Sequence, residues 1–194
     1  MSSTEWRLTE VLSEEHRLIQ RGLVVLARLS AHLRRGGEVH PEVVEACLRF
    51  LREFADQEHH DKEERILFPW LEQHGLSHEA GPLAVLRDEH EHVRDHVRRM
   101  SAHARHLETL REAVQTFVVH ADELCLMFWK HLLKENEVLF PMAESVGGGT
   151  RGLYRWEEGR AQAMLEEHRD LIEHLERAAR EWPIEDVRWP AQAR

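Results

Sequence analysis

Apolar residues recur at intervals of three and four positions through most of the chain, which is the pattern of helices that bury one face. No segment keeps the strict alternation of polar and apolar residues that is typical of a half-buried strand. Glycine and proline separate the apolar stripes, because these residues end or begin helices. The predicted helices cover about residues 4–35, 41 to 69–75, 82 to 104–109, 109–144 and 153–181.

Short connections between the first four predicted helices favour antiparallel neighbours and therefore an all-α fold. We expect an antiparallel four-helix bundle over residues 1–146. A fifth helix is predicted within residues 150–182, where it packs on the bundle or lies at an interface, such as that of a homodimer. Residues 183–194 are expected to be a tail.

The chain contains an internal repeat, in which a Glu-His pair precedes a longer motif that ends in Leu-Phe-Pro. In the first copy, Glu15-His16 is followed by the segment HHDKEERILFP at residues 59–69. In the second copy, Glu89-His90 is followed by HLLKENEVLFP at residues 131–141. We therefore predict two helical hairpins related by an approximate two-fold axis.

Four histidines interrupt apolar stripes, one on each predicted helix of the bundle. Positions three and four residues apart share a helix face, so these side chains are expected to point into the core. Two glutamates follow the histidines of the second and fourth helices by four residues. The neighbouring pair His60 and Glu64 competes for this assignment, but it shares its face with polar residues upstream. The predicted inward set is His16, His59, Glu63, His90, His131 and Glu135.

Buried carboxylates are costly unless a positive charge compensates them, and no lysine or arginine lies on these stripes near the cluster. Two cations would supply that charge, since carboxylates can bridge ions and imidazoles can complete each coordination shell. Donors of this kind without thiolates favour iron or manganese, with zinc as an alternative.

The other histidines lack this pattern. His120 faces the core, but it lies eleven residues before His131, about 16 Å along the helix, so we expect a hydrogen-bonded core residue. Seven further histidines without the pattern are expected at the surface, and they are His32, His40, His74, His78, His92, His96 and His106.

Charge and composition restrict the partners. The formal net charge of −10 argues against nucleic acid and anionic membranes, since both require a basic face. The two cysteines, Cys47 and Cys125, form no CxxC pair, which excludes a zinc ribbon or a thioredoxin-like site. We expect a cytoplasmic protein, because the first residues lack the pattern of a secretory signal and no apolar run is long enough to span a membrane.

The repeated motifs, Glu-His followed by His-x-x-x-Glu and Leu-Phe-Pro, resemble those of the hemerythrin-like HHE cation-binding family over about residues 10–145. The resemblance implies a four-helix bundle around a non-haem di-iron centre. In that family's terms, the four inward histidines are terminal ligands, and Glu63 and Glu135 bridge the irons.

The chain departs from the oxygen-carrying hemerythrins at two positions. Arg94 stands where those proteins have a second histidine on the third helix, and Glu135 follows its histidine by four residues where they have an aspartate at five. In these respects the chain is more similar to the bacterial HHE proteins and to iron–sulfur cluster repair proteins linked to nitric oxide stress.

Two six-coordinate irons offer about twelve positions, of which four imidazoles, two bridging carboxylates and a bridging oxide or hydroxide fill about ten. The open positions suit dioxygen, peroxide or nitric oxide. His60 and His168 are the candidates for a fifth histidine ligand. Four aromatic residues are expected to pack in the core or at an interface, with a redox role near the site as the alternative, and they are Trp70, Trp129, Tyr154 and Trp156.

Three functional hypotheses follow from this site. The first is a binding protein that uses a di-iron centre to sense, store or scavenge dioxygen, nitric oxide, peroxide or iron. The second is a di-iron oxidoreductase that reduces peroxide or nitric oxide, oxidises a small substrate or repairs iron–sulfur clusters. The third is a structural bundle whose histidines bind adventitious zinc.

Overall fold

A computed structural model describes residues 6–153 and 158–182, and within these ranges the chain forms five helices and no strand. Helix α1 spans Leu8–Arg34, α3 spans Gly81–Ala104 and α5 spans Glu158–Ala178. Helix α2 runs from 41 to 73 and α4 from 111 to 145, each as a series of continuous helical segments. The predicted all-α helical bundle is confirmed, and the turn between α3 and α4 lies at residues 105–110.

Helices α2 and α4 contain wide turns at the repeated motif. The backbone is π-helical over Leu51–His60 and Glu63–Leu67 in α2, and over Glu135–Leu139 in α4. Hydrogen bonds from residue i to i+5 widen these turns, so side chains there depart from the regular helical face. This change brings both His59 and His60 into the core, although regular periodicity directs His60 toward a polar face.

The core is divided into two apolar clusters. The larger one draws on α1, α2, α3, α4 and α5. The smaller one contains the Leu-Phe segments of both repeats, at Leu67-Phe68 and Leu139-Phe140, together with the first turns of α1 and α3. At Gly22, a Cβ would lie only 2.3 Å from the ring of Phe50, so glycine permits the close approach of α1 and α2.

Helix α5 lies against α1 and α2. Ile172, Leu175 and Ala179 join the larger apolar cluster, so the helix buries its apolar stripe in the bundle. Arg21 on α1 donates two hydrogen bonds to Glu176, of 2.8 and 2.9 Å, which fix the register. Among the described residues, no helix is both long enough and apolar enough to cross a membrane.

Candidate metal centre

The six side chains predicted to face inward converge at one point in the bundle. Helix α1 supplies one histidine, α3 another, and α2 and α4 each supply a histidine and a glutamate. All six are at most 1% exposed to solvent. They form two overlapping groups of close donor atoms, of which the first is His16, His59, Glu63 and Glu135, and the second is Glu63, His90, His131 and Glu135.

In the first group, two imidazoles meet through their Nε2 atoms. The Nε2 atoms of His16 and His59 lie 3.1 Å apart. His16 Nε2 is 3.2 Å from Glu135 Oε2, and His59 Nε2 is 3.8 Å from Glu63 Oε1. This side of the centre therefore combines two imidazole nitrogens with one oxygen from each carboxylate.

The second group repeats the arrangement on the other side. The Nε2 atoms of His90 and His131 lie 3.2 Å apart. His90 Nε2 is 3.3 Å from Glu63 Oε2, and His131 Nε2 is 3.0 Å from Glu135 Oε1. Each glutamate thus turns one oxygen toward each pair of histidines, which is the arrangement of a carboxylate that bridges two cations.

His60 lies beside the second group. Its ring is fully buried, stacks on the His90 ring with 3.8 Å between centroids, and contacts the His131 ring. The three histidines place one nitrogen each within 4.8 Å of one another. Neither ring nitrogen of His60 has a hydrogen-bond partner. Burial and the neighbouring imidazoles hold the pKa of His60 well below its usual value, which leaves a neutral ring able to bind a cation.

Each central imidazole is oriented by an acceptor on another helix, through its outer nitrogen. The Nδ1 atoms of His59 and His131 donate to Glu15 and Glu89 over 3.0 and 2.9 Å. Those of His16 and His90 donate to Asn136 and Glu64 over 3.1 and 2.7 Å. These acceptors hold a proton on each Nδ1, so it is the Nε2 atoms that face the carboxylates and that can bind a cation once they carry no proton.

Two lysines contact the glutamates that orient His59 and His131, and these ion pairs form the outer layer of the centre. Lys62 contacts Glu15 at 2.8 Å, and Lys134 pairs with Glu89. Burial alone raises the pKa of Glu15, but His59 and Lys62 outweigh it and keep that pKa below its usual value. Sequence reasoning missed these contacts, although the acid of each Glu-His pair and the lysine three residues after each motif histidine are visible signals.

Arg94, which stands in place of a further histidine, lies outside the centre. Its guanidinium donates over 2.7 Å to both Asp56 and Glu64, and over 2.6 Å to Glu91. Because Glu64 accepts from His90, Arg94 fixes the carboxylate that orients this imidazole. Arg94 therefore supports an imidazole of the two central groups through Glu64 and offers no donor to a cation itself.

The donor set fits cations. Nε2 atoms lie 3.0 to 3.8 Å from the four oxygens of Glu63 and Glu135, yet none of these oxygens accepts a hydrogen bond.

In the metal-free protein, protons on the histidines compensate the negative charge of the buried carboxylates. Burial alone raises the pKa of Glu135, but His131 and its neighbours hold it well below the usual value. Burial alone lowers the pKa of His131, and Glu135 raises it to about 9. Cations that bind here would displace these protons.

The other predicted candidates lie elsewhere. His168 is buried against the rings of Phe50 and Phe54, its Nδ1 donates to Met164 O over 2.9 Å, and it belongs to neither group of close donors. The apolar stripe of α5 thus places His168 in the packing between helices. Trp70 and Trp129 pack at the edges of the two apolar clusters. Tyr154 and Trp156 lie outside the described residues.

Comparison with known proteins identifies the family of the chain. The model of the hemerythrin HHE cation-binding domain matches residues 7–143, which include all four bundle helices up to the final turn of α4. Comparisons with curated proteins and with solved structures found no match. The match contains both copies of the repeat and every donor of the two central groups. The chain therefore belongs to the hemerythrin HHE cation-binding domain family.

Proposed function

We propose that the chain is a non-haem di-iron protein whose two ions lie between the pairs of histidines. Glu63 and Glu135 are the bridging ligands in this proposal, and the four histidines His16, His59, His90 and His131 are terminal ligands. The observation that carries the proposal is the placement of four carboxylate oxygens without hydrogen bonds, which lie opposite four imidazoles, one from each of the helices α1 to α4.

The chemistry of the donors supports iron. Imidazole and carboxylate groups suit iron and manganese, whereas thiolates would favour zinc or iron–sulfur clusters. Both cysteines, Cys47 and Cys125, pack in the larger apolar cluster and are not among the close donor groups. When bound, two iron ions supply one-electron redox chemistry and open positions for a small ligand.

We extend the donor set to His60 as a seventh ligand on the side of His90 and His131. That side then has three imidazoles, while the side of His16 and His59 has two. Since a six-coordinate ion takes about six donors, more open positions remain on the two-imidazole side. A small ligand would therefore bind next to His16 and His59.

The surroundings of the centre favour small ligands. Phe140 stacks on His16 with 5.2 Å between centroids, Phe68 stacks on His90 at 5.6 Å, and Phe128 lies against His60 and His131. These rings surround the centre with apolar surface. Dioxygen, nitric oxide and peroxide are the ligands of suitable size and chemistry, and the protein would bind them for sensing, scavenging or iron handling.

Metal analysis and an optical spectrum test the proposal directly. Protein expressed with iron is expected to contain about two irons per chain and to show the absorption of a bridged iron pair, which changes when oxygen is added. A preparation that takes up zinc but no iron under iron-replete conditions would exclude the proposal.

Steady-state assays distinguish the binding protein from the alternative oxidoreductase. In these assays, the binding protein consumes peroxide or nitric oxide no faster than free iron does. Turnover above that level, lost in His59→Ala, would instead identify a di-iron oxidoreductase.

A further inference from the structure

A second pair of histidines meets between α3 and α4, apart from the central donors. His96 on α3 and His120 on α4 approach through their Nδ1 atoms, which are 3.1 Å apart. Glu123 Oε2 lies 3.9 Å from His96 Nδ1 and 3.8 Å from His120 Nδ1. These three atoms form another group of close donors, and the group shares no residue with the centre.

The two imidazoles are suited to binding a cation. When both rings are neutral, only one proton fits between their facing Nδ1 atoms, so one of these nitrogens keeps a free lone pair. Two charged rings would repel each other. Partial burial and the neighbouring His120 lower the pKa of His96, so its lone pair is available at neutral pH. The side chains of His96 and His120 remain 17% and 18% exposed, so an ion from solvent can reach them.

The spacing of the donors is close to that of a small coordination site. Bonds of about 2.0–2.1 Å to nitrogen in a tetrahedral site place neighbouring donor atoms about 3.3 Å apart. The nitrogens of His96 and His120 are already near that separation. Glu123 is exposed, so a small side-chain rotation would bring its oxygen closer.

This cluster is separate from the centre along the bundle. His120 precedes the central ligand His131 by eleven residues, which is about 16 Å along a helix. His96 follows His90 by six residues, which is about 9 Å along α3 in the same direction away from the centre. An ion held here would join α3 to α4 without contact with the central donors.

We propose that His96, His120 and Glu123 form a mononuclear site for a divalent transition metal ion. Two imidazoles and one carboxylate are donors that zinc, copper and nickel accept, and water would complete the coordination shell. The ion would cross-link the α3–α4 hairpin and raise its resistance to unfolding, since it binds only the folded arrangement.

Equilibrium dialysis of the iron-loaded full-length chain against zinc tests the proposal, with iron and zinc counted together. The parent protein is expected to bind about one more ion per chain than His96→Gln or His120→Gln, because imidazole is a preferred ligand of zinc. Glu123→Gln is expected to weaken zinc binding by about tenfold or more. His92→Gln is the matched control, because His92 is an exposed histidine on the same helix, and it should bind like the parent.

Total bound metal is the deciding quantity, so exchange of zinc for central iron leaves the test intact. The difference between the parent and His96→Gln is expected even if the central ions are not iron. Thermal unfolding gives a second readout, in which zinc raises the Tm of the parent and of His92→Gln but not that of His120→Gln. Equal metal content and an equal zinc-dependent Tm shift in the parent, His96→Gln and His120→Gln would overturn the proposal.

Discussion

The two hairpins of the bundle share one scaffold but bring different donors to its centre. In the first hairpin, His60 follows His59, and both rings are buried. In the second, Leu132 occupies the position equivalent to His60 and packs in the larger apolar cluster. The repeat therefore keeps the carboxylates and the wide turns that begin at each of them, whereas the wide turns over Leu51–His60 and the buried imidazole of His60 belong to the first hairpin alone.

The outer layers differ in their exposure to water. The side chains of Lys62 and Glu15 in the first hairpin are 6% and 2% exposed. The corresponding Lys134 and Glu89 are 41% and 17% exposed. The same ion pair thus lies in a dry environment in one hairpin and near solvent in the other, so equivalent substitutions should have different costs.

Both hairpins contribute one carboxylate to the proposed centre, and removal of either carboxylate should greatly weaken metal binding. Glu63→Gln and Glu135→Gln are each expected to weaken metal binding by more than about 100-fold, since each residue would serve both ions in the proposed centre. The measurement is metal content after dialysis against a chelator, with helical content checked by circular dichroism. Glu137→Gln, at an exposed position on α4, is the control and should retain both ions. A Glu135→Gln protein that kept two ions would exclude the bridging role.

Substitution of the two equivalent lysines should lower the free energy of unfolding by different amounts in the two hairpins. Lys62→Met leaves Glu15 buried without its cation and is expected to lower the free energy of unfolding by about 3 kcal/mol. Lys134→Met affects a pair near solvent and should cost less than about 1 kcal/mol. Urea unfolding of the two metal-free variants measures this difference. Equal costs would show that burial does not distinguish the two pairs.

His60→Leu makes the first hairpin like the second. It is expected to weaken binding of one of the two ions by about 10-fold to 100-fold, or about 1.4–2.7 kcal/mol. The metal-free variant should be as stable as the parent or more stable, because the change removes a buried ring without hydrogen bonds. Metal titration and urea unfolding give the two readouts.

The matched control for that substitution is His168→Leu, which changes a buried histidine in the packing of α5. It should leave the affinity for both ions unchanged. If His60→Leu lowered the stability of the metal-free protein and spared metal affinity, His60 would be a packing residue and not a ligand.

The pH dependence should differ between the metal-free and metal-loaded proteins. In the metal-free protein, Glu135 raises the pKa of His131 from 6.5 to about 9 against the effect of burial. A raised pKa stabilises the folded state below pH 6.5, and this contribution is lost as the pH rises through about 9. Bound cations would replace these protons, so the metal-loaded protein does not depend on them for its stability. The difference in Tm between the metal-loaded and metal-free proteins should therefore widen as the pH rises from 6.5 to about 9. Thermal unfolding at a series of pH values tests this, and a constant difference would contradict it.

Much of the fold and of the candidate site could be predicted from the sequence. The regular recurrence of apolar residues indicated the helices, and glycine and proline indicated most of their ends. Histidines on apolar stripes, such as His16 and His90, were recognisable because periodicity determines which face of a helix a residue occupies. The two copies of the repeat then indicated which acids accompany them.

The sequence by itself determined the helices, their buried faces and the residue types available for cation binding. The tertiary structure decided which side chains from different helices meet, because that depends on the packing of the helices and on local changes in their turns. The wide turns of α2 bring His60 inward, against the regular period. Packing of α3 on α4 pairs His96 with His120, and packing of α1 on α2 brings Glu15 to His59. Periodicity describes one helix at a time, whereas a metal site is formed by several helices together.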